Sequence, residues 1–76
     1  MCGIFGFVAP NPLPAELVVD ALRTLEYRGY DSSGIATGTG RQLHIRKKAG
    51  RLQALQRLIA EYPAAGCYGI GHTRWA

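Results

Sequence analysis

Met1-Cys2-Gly3-Ile4-Phe5-Gly6-Phe7-Val8 opens the chain, and from Gly3 onward it is a short apolar run that Pro10, Asn11, Pro12 and Pro14 bring to a stop. The run is too short for a helix and reads as a buried strand. The prolines beyond it break a strand and pre-set a turn. Glycine inside a strand weakens it and marks a place where something approaches the backbone closely. Cys2 sits at the head of this strand, behind a Met that a residue as small as Cys allows to be removed. Removal would leave a free α-amino group on the same residue as the thiol. Its unperturbed pKa of about 7.7–8.0 leaves a useful fraction neutral near pH 7, which suits a general base. One residue would then hold both nucleophile and base, as in N-terminal threonine enzymes. The plainer reading, a small apolar residue leading a strand, stands beside this one.

Outward from the run, a helix is expected from about Pro14 to Arg28. Leu17, Val18, Ala21, Leu22 and Leu25 recur at spacings of three and four and give one apolar face, with Glu16, Asp20, Arg23 and Glu26 on the other. Pro suits the first helical position, and Gly29 supplies a helix stop. Two strands should follow, Gly34 to Gly38 and Arg41 to Lys48, joined by a hairpin turn at Gly38-Thr39-Gly40. In the second strand Leu43 and Ile45 alternate with His44 and Arg46, which predicts that the leucine and isoleucine face the core. A second helix is expected from about Arg51 to Tyr62 on the stripe Leu52, Leu55, Leu58, Ile59 and Tyr62, ended by Pro63. Cys67 to Ala76 reads as a final glycine-rich strand.

The totals bound the rest. With 76 residues, 47% hydrophobic and 18% charged, this is globular material of at most one small domain. No run approaches the ~20 apolar residues a membrane span needs, and the opening lacks a secretory signal's basic start; a cytoplasmic setting is expected. The net charge of +4 raises nucleic acid as a partner. Its only dense source, Arg46, Lys47, Lys48 and Arg51, has no interleaved aromatic platforms, so a solvated basic edge is the better reading. Cys2 and Cys67 have neither metal-ligand nor disulfide-framework spacing. No metal and no cofactor is indicated.

Two further stretches hold chemistry. Tyr27-Arg28-Gly29-Tyr30-Asp31-Ser32-Ser33-Gly34 is a dense polar and aromatic loop at a helix-to-strand junction, where function concentrates; local turn bonding explains it equally well. Gly71-His72-Thr73-Arg74-Trp75 ends a glycine-rich strand with an arginine whose planar fork is shaped to grip a carboxylate. An exposed strand-end charge is the commoner role for such a residue.

Taken together, Cys2-Gly3-Ile4-Phe5-Gly6, Leu25-Glu26-Tyr27-Arg28-Gly29-Tyr30-Asp31-Ser32 and Gly69-Ile70-Gly71-His72-Thr73-Arg74-Trp75-Ala76 resemble the glutaminase domain of class II glutamine amidotransferases. The Tyr-Arg-Gly-Tyr-Asp-Ser run and the Trp after His-Thr-Arg look like the branch that forms glucosamine 6-phosphate. The phosphoribosylamine-forming branch looks different at both places. The resemblance implies an α+β fold, the N-terminal part of an N-terminal-nucleophile hydrolase. That fold is a four-layer α/β/β/α sandwich of two mainly antiparallel sheets. The resemblance also implies a mechanism. Cys2 would attack the side-chain amide of L-glutamine, helped by its own α-amino group, and Thr73, Arg74 and Trp75 would bind substrate. Arg74 would take the carboxylate, while Arg28 and Gly29 would line the nucleophile.

In that branch a separate sugar-isomerase domain uses the ammonia to convert fructose 6-phosphate, within an enzyme expected to be a homo-oligomer. Two amphipathic helices and a few strands do not cover one another's apolar faces. Residues 1–76 are therefore expected to be a partial glutaminase domain, with the oxyanion donors and the sugar domain beyond Ala76 and no activity alone. Two other readings compete: another class II amidotransferase, and a small basic binding module without catalysis.

Overall fold

The computed structural model of the chain describes residues 3–24 and 32–74. Six elements follow one another: β1 (Gly3–Leu13), α1 (Ala15–Arg23), β2 (Ser32–Thr39), β3 (Gln42–Ala49), α2 (Leu52–Glu61) and β4 (Gly66–Arg74). The strands form one sheet in the order β1-β4-β2-β3 with every neighbouring pair antiparallel. Both helices lie on one face of it and touch each other. This is the α+β class expected. One sheet under one helix layer is consistent with the N-terminal part of a four-layer sandwich.

The core forms where the helices meet the sheet. α1 buries Ala15, Val18, Val19 and Leu22, and α2 buries Leu52, Leu55 and Ile59, with Ile35 of β2 and Ala64 completing the cluster. Phe5 and Phe7 of β1 pack against its flank. The expected stripe of α2 holds for its first residues, but Tyr62 is an exposed cap residue. In α1, Leu17 faces solvent while Ala15 and Val19 take inner positions. α1 also ends at Arg23, short of the expected Arg28. There the Thr24 N–H and hydroxyl both donate to the Ala21 carbonyl, at 3.2 and 2.7 Å, in place of the next helical bond. Gly29, the expected stop, lies outside the described residues.

Close approach of α1 to the sheet depends on one glycine. A Cβ at Gly71 would sit 2.6 Å from Val18 Cγ1 and 3.0 Å from Leu22 Cδ1. Gly6, by contrast, has ordinary room above it, 3.6 Å to the nearest atom, so no described neighbour demands a glycine there.

Two strand expectations are corrected. β1 does not stop before the prolines but continues extended to Leu13; its pairing with β4 lapses after Val8 and resumes only at Leu13 opposite Gly66. An edge strand tolerates Pro, because the missing N–H is on a side that needs no partner. The hairpin turns on Gly40-Arg41, with Thr39 and Gln42 the last pair. Gly40 has φ +57 and no other residue of the turn has positive φ. This is the turn type in which glycine takes the first central place.

The largest correction concerns β3. Leu43 and Ile45 are 58% and 54% exposed, whereas His44 and Arg46 point toward the helix side and are half-buried. Arg46 reaches the end of α2: its Nε donates to the Tyr62 carbonyl at 2.8 Å and Nη2 to the Pro63 carbonyl at 3.1 Å. Helix ends leave carbonyls unsatisfied, and a guanidinium is well suited to collect them. The leucine and isoleucine therefore join Ile4, Val8, Tyr68 and Ile70 on the sheet face away from the helices, which is apolar and uncovered by any described residue.

Candidate active site

The described parts of the three stretches singled out in the sequence converge at one end of the sheet. β1 starts at Gly3, which pairs with Thr73; β2 starts at Ser32, which pairs with Arg74, and Ser33 pairs with Thr73. Because β4 lies between β1 and β2, the residue after Cys2, the residue after Asp31 and the His72-Thr73-Arg74 run stand side by side. Antiparallel pairing at this end brings together positions 70 residues apart in the chain.

Strand alternation divides these residues between two faces. Thr73 and Ser33 face the helices and are each 1% exposed. The Gly3 N–H donates to Thr73 Oγ1 at 3.1 Å, so the Thr73 side chain anchors the first described residue of β1. Ser33 Oγ is buried without a hydrogen-bond partner among the described residues. Ser33 stands two positions after Asp31 in the chain.

Ile4, Ser32, His72, Arg74 and Lys47 belong to the opposite face. Arg74 is exposed, and two concavities meet at it. One of about 330 Å³ is lined by Gly3, Ile4, His72, Thr73 and Arg74. The other, of about 420 Å³, is lined by Ser32, Ser33, Lys47, Lys48, His72 and Arg74 together with Ala49. Among the described residues no side chain is bonded to the arginine, which is exposed at the head of the sheet next to the start of β1, where an anion can reach its fork.

Cys2, Arg28, Gly29 and Trp75 lie outside the described residues. Among the described ones, no group of His, Cys, Asp and Glu side chains is placed to hold a metal ion, and no helix is long and apolar enough to cross a membrane. Cys67 is a half-buried free thiol within β4, away from the convergent end. Sequence reasoning missed Lys47 as a companion of Arg74 and gave no role to His72 and Ser32, although both stood in the stretches it singled out. His72 and Arg74 share parity along one strand, which is a usable signal. The place of Lys47 depends on the β2–β3 and β2–β4 registers, which no local pattern encodes.

No family model matches the chain. Individual relatives do, along all of it. The glutamine–fructose-6-phosphate aminotransferase (isomerizing) of Mycobacterium tuberculosis is 53% identical over 79 residues, covering 100% of this chain and 12% of the relative. The chain matches the N-terminal part of that family. The enzymes of the same name from Bradyrhizobium diazoefficiens and Thermus thermophilus are 51% and 49% identical over 76 residues, with the same coverage. The chain therefore spans 12% of the length of the curated aminotransferases it matches.

Proposed function

We propose that this chain supplies the nucleophile and the carboxylate grip of a glutamine-hydrolysing site. That site would belong to a complete enzyme of the glutamine–fructose-6-phosphate aminotransferase kind. Loss of Met1 frees the α-amino group of Cys2, which takes the thiol proton as Sγ attacks the side-chain amide carbon of L-glutamine. The C–N bond breaks, the proton passes to the leaving nitrogen, and ammonia departs from a glutamyl thioester. Water then cleaves the thioester to glutamate and restores the thiol. Arg74 holds the α-carboxylate, Arg28 and Gly29 line the nucleophile, and Trp75 borders the substrate. Thr73 contributes by fixing Gly3, and with it the position of the residue before it.

The convergence of Gly3, Ser32 and Arg74 on one end of the sheet is the observation that carries this reading. The relatives' names, which state glutamine and fructose 6-phosphate, support the substrate pair. In this reading the ammonia passes to a sugar-isomerase domain outside residues 1–76. That domain makes glucosamine 6-phosphate, in a homo-oligomeric cytoplasmic enzyme. The oxyanion donors also lie outside these residues, and losing even one such donor costs roughly 10²–10³-fold in rate; the 76-residue chain alone is expected to be inactive.

The test is the N-terminal mass of the complete protein, followed by treatment with a glutamine-like electrophile. The reading requires absence of Met1 and a single adduct on Cys2. Retained Met1 with an unmodified Cys2 would sink it.

A further inference from the structure

His72 of β4 and Lys47 of β3 flank the same residue, Gly34 of β2, from either side. Gly34 has no side chain, and both neighbours lean into the space above it. A Cβ there would lie 3.0 Å from His72 Nε2 and 3.1 Å from Lys47 Cγ. The next row on the same face is Ser32 beside Arg74. Lys47, His72, Ser32 and Arg74 border a single concavity of about 420 Å³, and among the described residues no acidic side chain lines it. The rows further along this face, Gly6–Ile70–Ala36–Ile45 and Val8–Tyr68–Gly38–Leu43, carry no charge at all. Basic groups gathered in one hollow repel one another, and an anionic guest relieves that repulsion.

A carboxylate fits this hollow. Two parallel N–H bonds from an arginine fork leave lone pairs of the carboxylate oxygens open to another donor. An ammonium on a flexible stem is a donor that can adapt to that position.

We propose that Lys47, whose side-chain stem leans over Gly34 beside His72, is a further substrate-binding residue that completes with Arg74 a subsite for the α-carboxylate of the amino-acid amide. The inference rests on the glutamine-hydrolysing reading. It adds a residue on a third strand to that site.

The experiment uses the complete protein and follows glutamate release from L-glutamine. Lys47→Met should raise KM for glutamine about fivefold, the size of a partly exposed ion pair, with kcat unchanged. Lys47→Arg, which keeps the charge, should restore most of the affinity. KM for fructose 6-phosphate should stay at the wild-type value in both variants. An unchanged KM for glutamine in Lys47→Met overturns the proposal. So does an equal loss in Lys47→Arg, which would mean that shape and not charge matters. A rise in KM for the sugar phosphate alone would assign the anion site to a phosphate instead. Failure of the underlying reading looks different: the wild-type protein would then release no glutamate.

Discussion

Gly3 and Thr73 are joined by a side-chain bond as well as by strand pairing: the Gly3 N–H donates to the buried Thr73 hydroxyl at 3.1 Å. The bond ties the head of β1 to the strand that ends in Arg74. Thr73→Val keeps the shape and removes the acceptor. It should cost about 1 kcal/mol, and glutamine turnover in the complete enzyme should fall more than KM changes. Thr73→Ser should retain both. A thermal melt alongside steady-state kinetics checks this, and Thr73→Val with a wild-type kcat would rule out the positioning role.

Gly71 sets how closely α1 can approach. Replacing it by Ala places a methyl group 2.6 Å from Val18 Cγ1, which only a shift of the packed Val18 side chain or of the helix that carries it relieves. Overpacking of this kind costs about 1–3 kcal/mol. Gly71→Ala should lower the melting temperature of the complete protein, and the smaller side chain of Val18→Ala in the same background should recover part of the loss. A Gly71→Ala protein as stable as the wild type would show that α1 does not rest against β4.

Arg46 carries the third prediction. Its Nε and Nη2 collect the Tyr62 and Pro63 carbonyls at the end of α2, so Arg46→Ala should cost about 1 kcal/mol. The loss should appear as faster hydrogen exchange in the last turn of α2. Lys47→Ala, the adjacent residue on the opposite face, should leave that exchange untouched.

The same residue shows how far the sequence could be read. Element types and order follow from periodicity and turn chemistry, as strand, helix, hairpin, helix and strand, while the end of β1, the end of α1 and the hairpin turn lie elsewhere than Gly and Pro suggest. Alternation in β3 correctly pairs Leu43 with Ile45 and His44 with Arg46, but it does not say which pair faces the helices. A half-buried strand in a two-layer fold puts its apolar side toward the helices. Here the sheet has apolar residues for both faces, and the helix side of its edge strand is held by an arginine that caps α2. Of the site, the arginine fork at a strand end was legible as chemistry. Its meeting with Gly3, Ser32 and Lys47 depends on registers between distant strands. The Thr73 hydroxyl, buried against the helix side, gave no local signal.

The apolar far face leads to the last prediction. Val8 is 89% exposed and Ile70 56% exposed, side by side with Ile4, Leu43, Ile45 and Tyr68. Judged by these exposures, Val8→Lys and Ile70→Lys are surface changes, worth within about 0.5 kcal/mol. In a four-layer sandwich, a second sheet packs about 10 Å away on this face, and the same lysines would be forced into a core. Burying an unpaired ammonium there costs several kcal/mol. Both variants of the complete protein should therefore melt well below wild type, while Leu17→Lys, an exposed position on α1, should not. Melting temperatures within a degree or so of wild type for Val8→Lys and Ile70→Lys would mean that this face stays open, and the sandwich reading would fail.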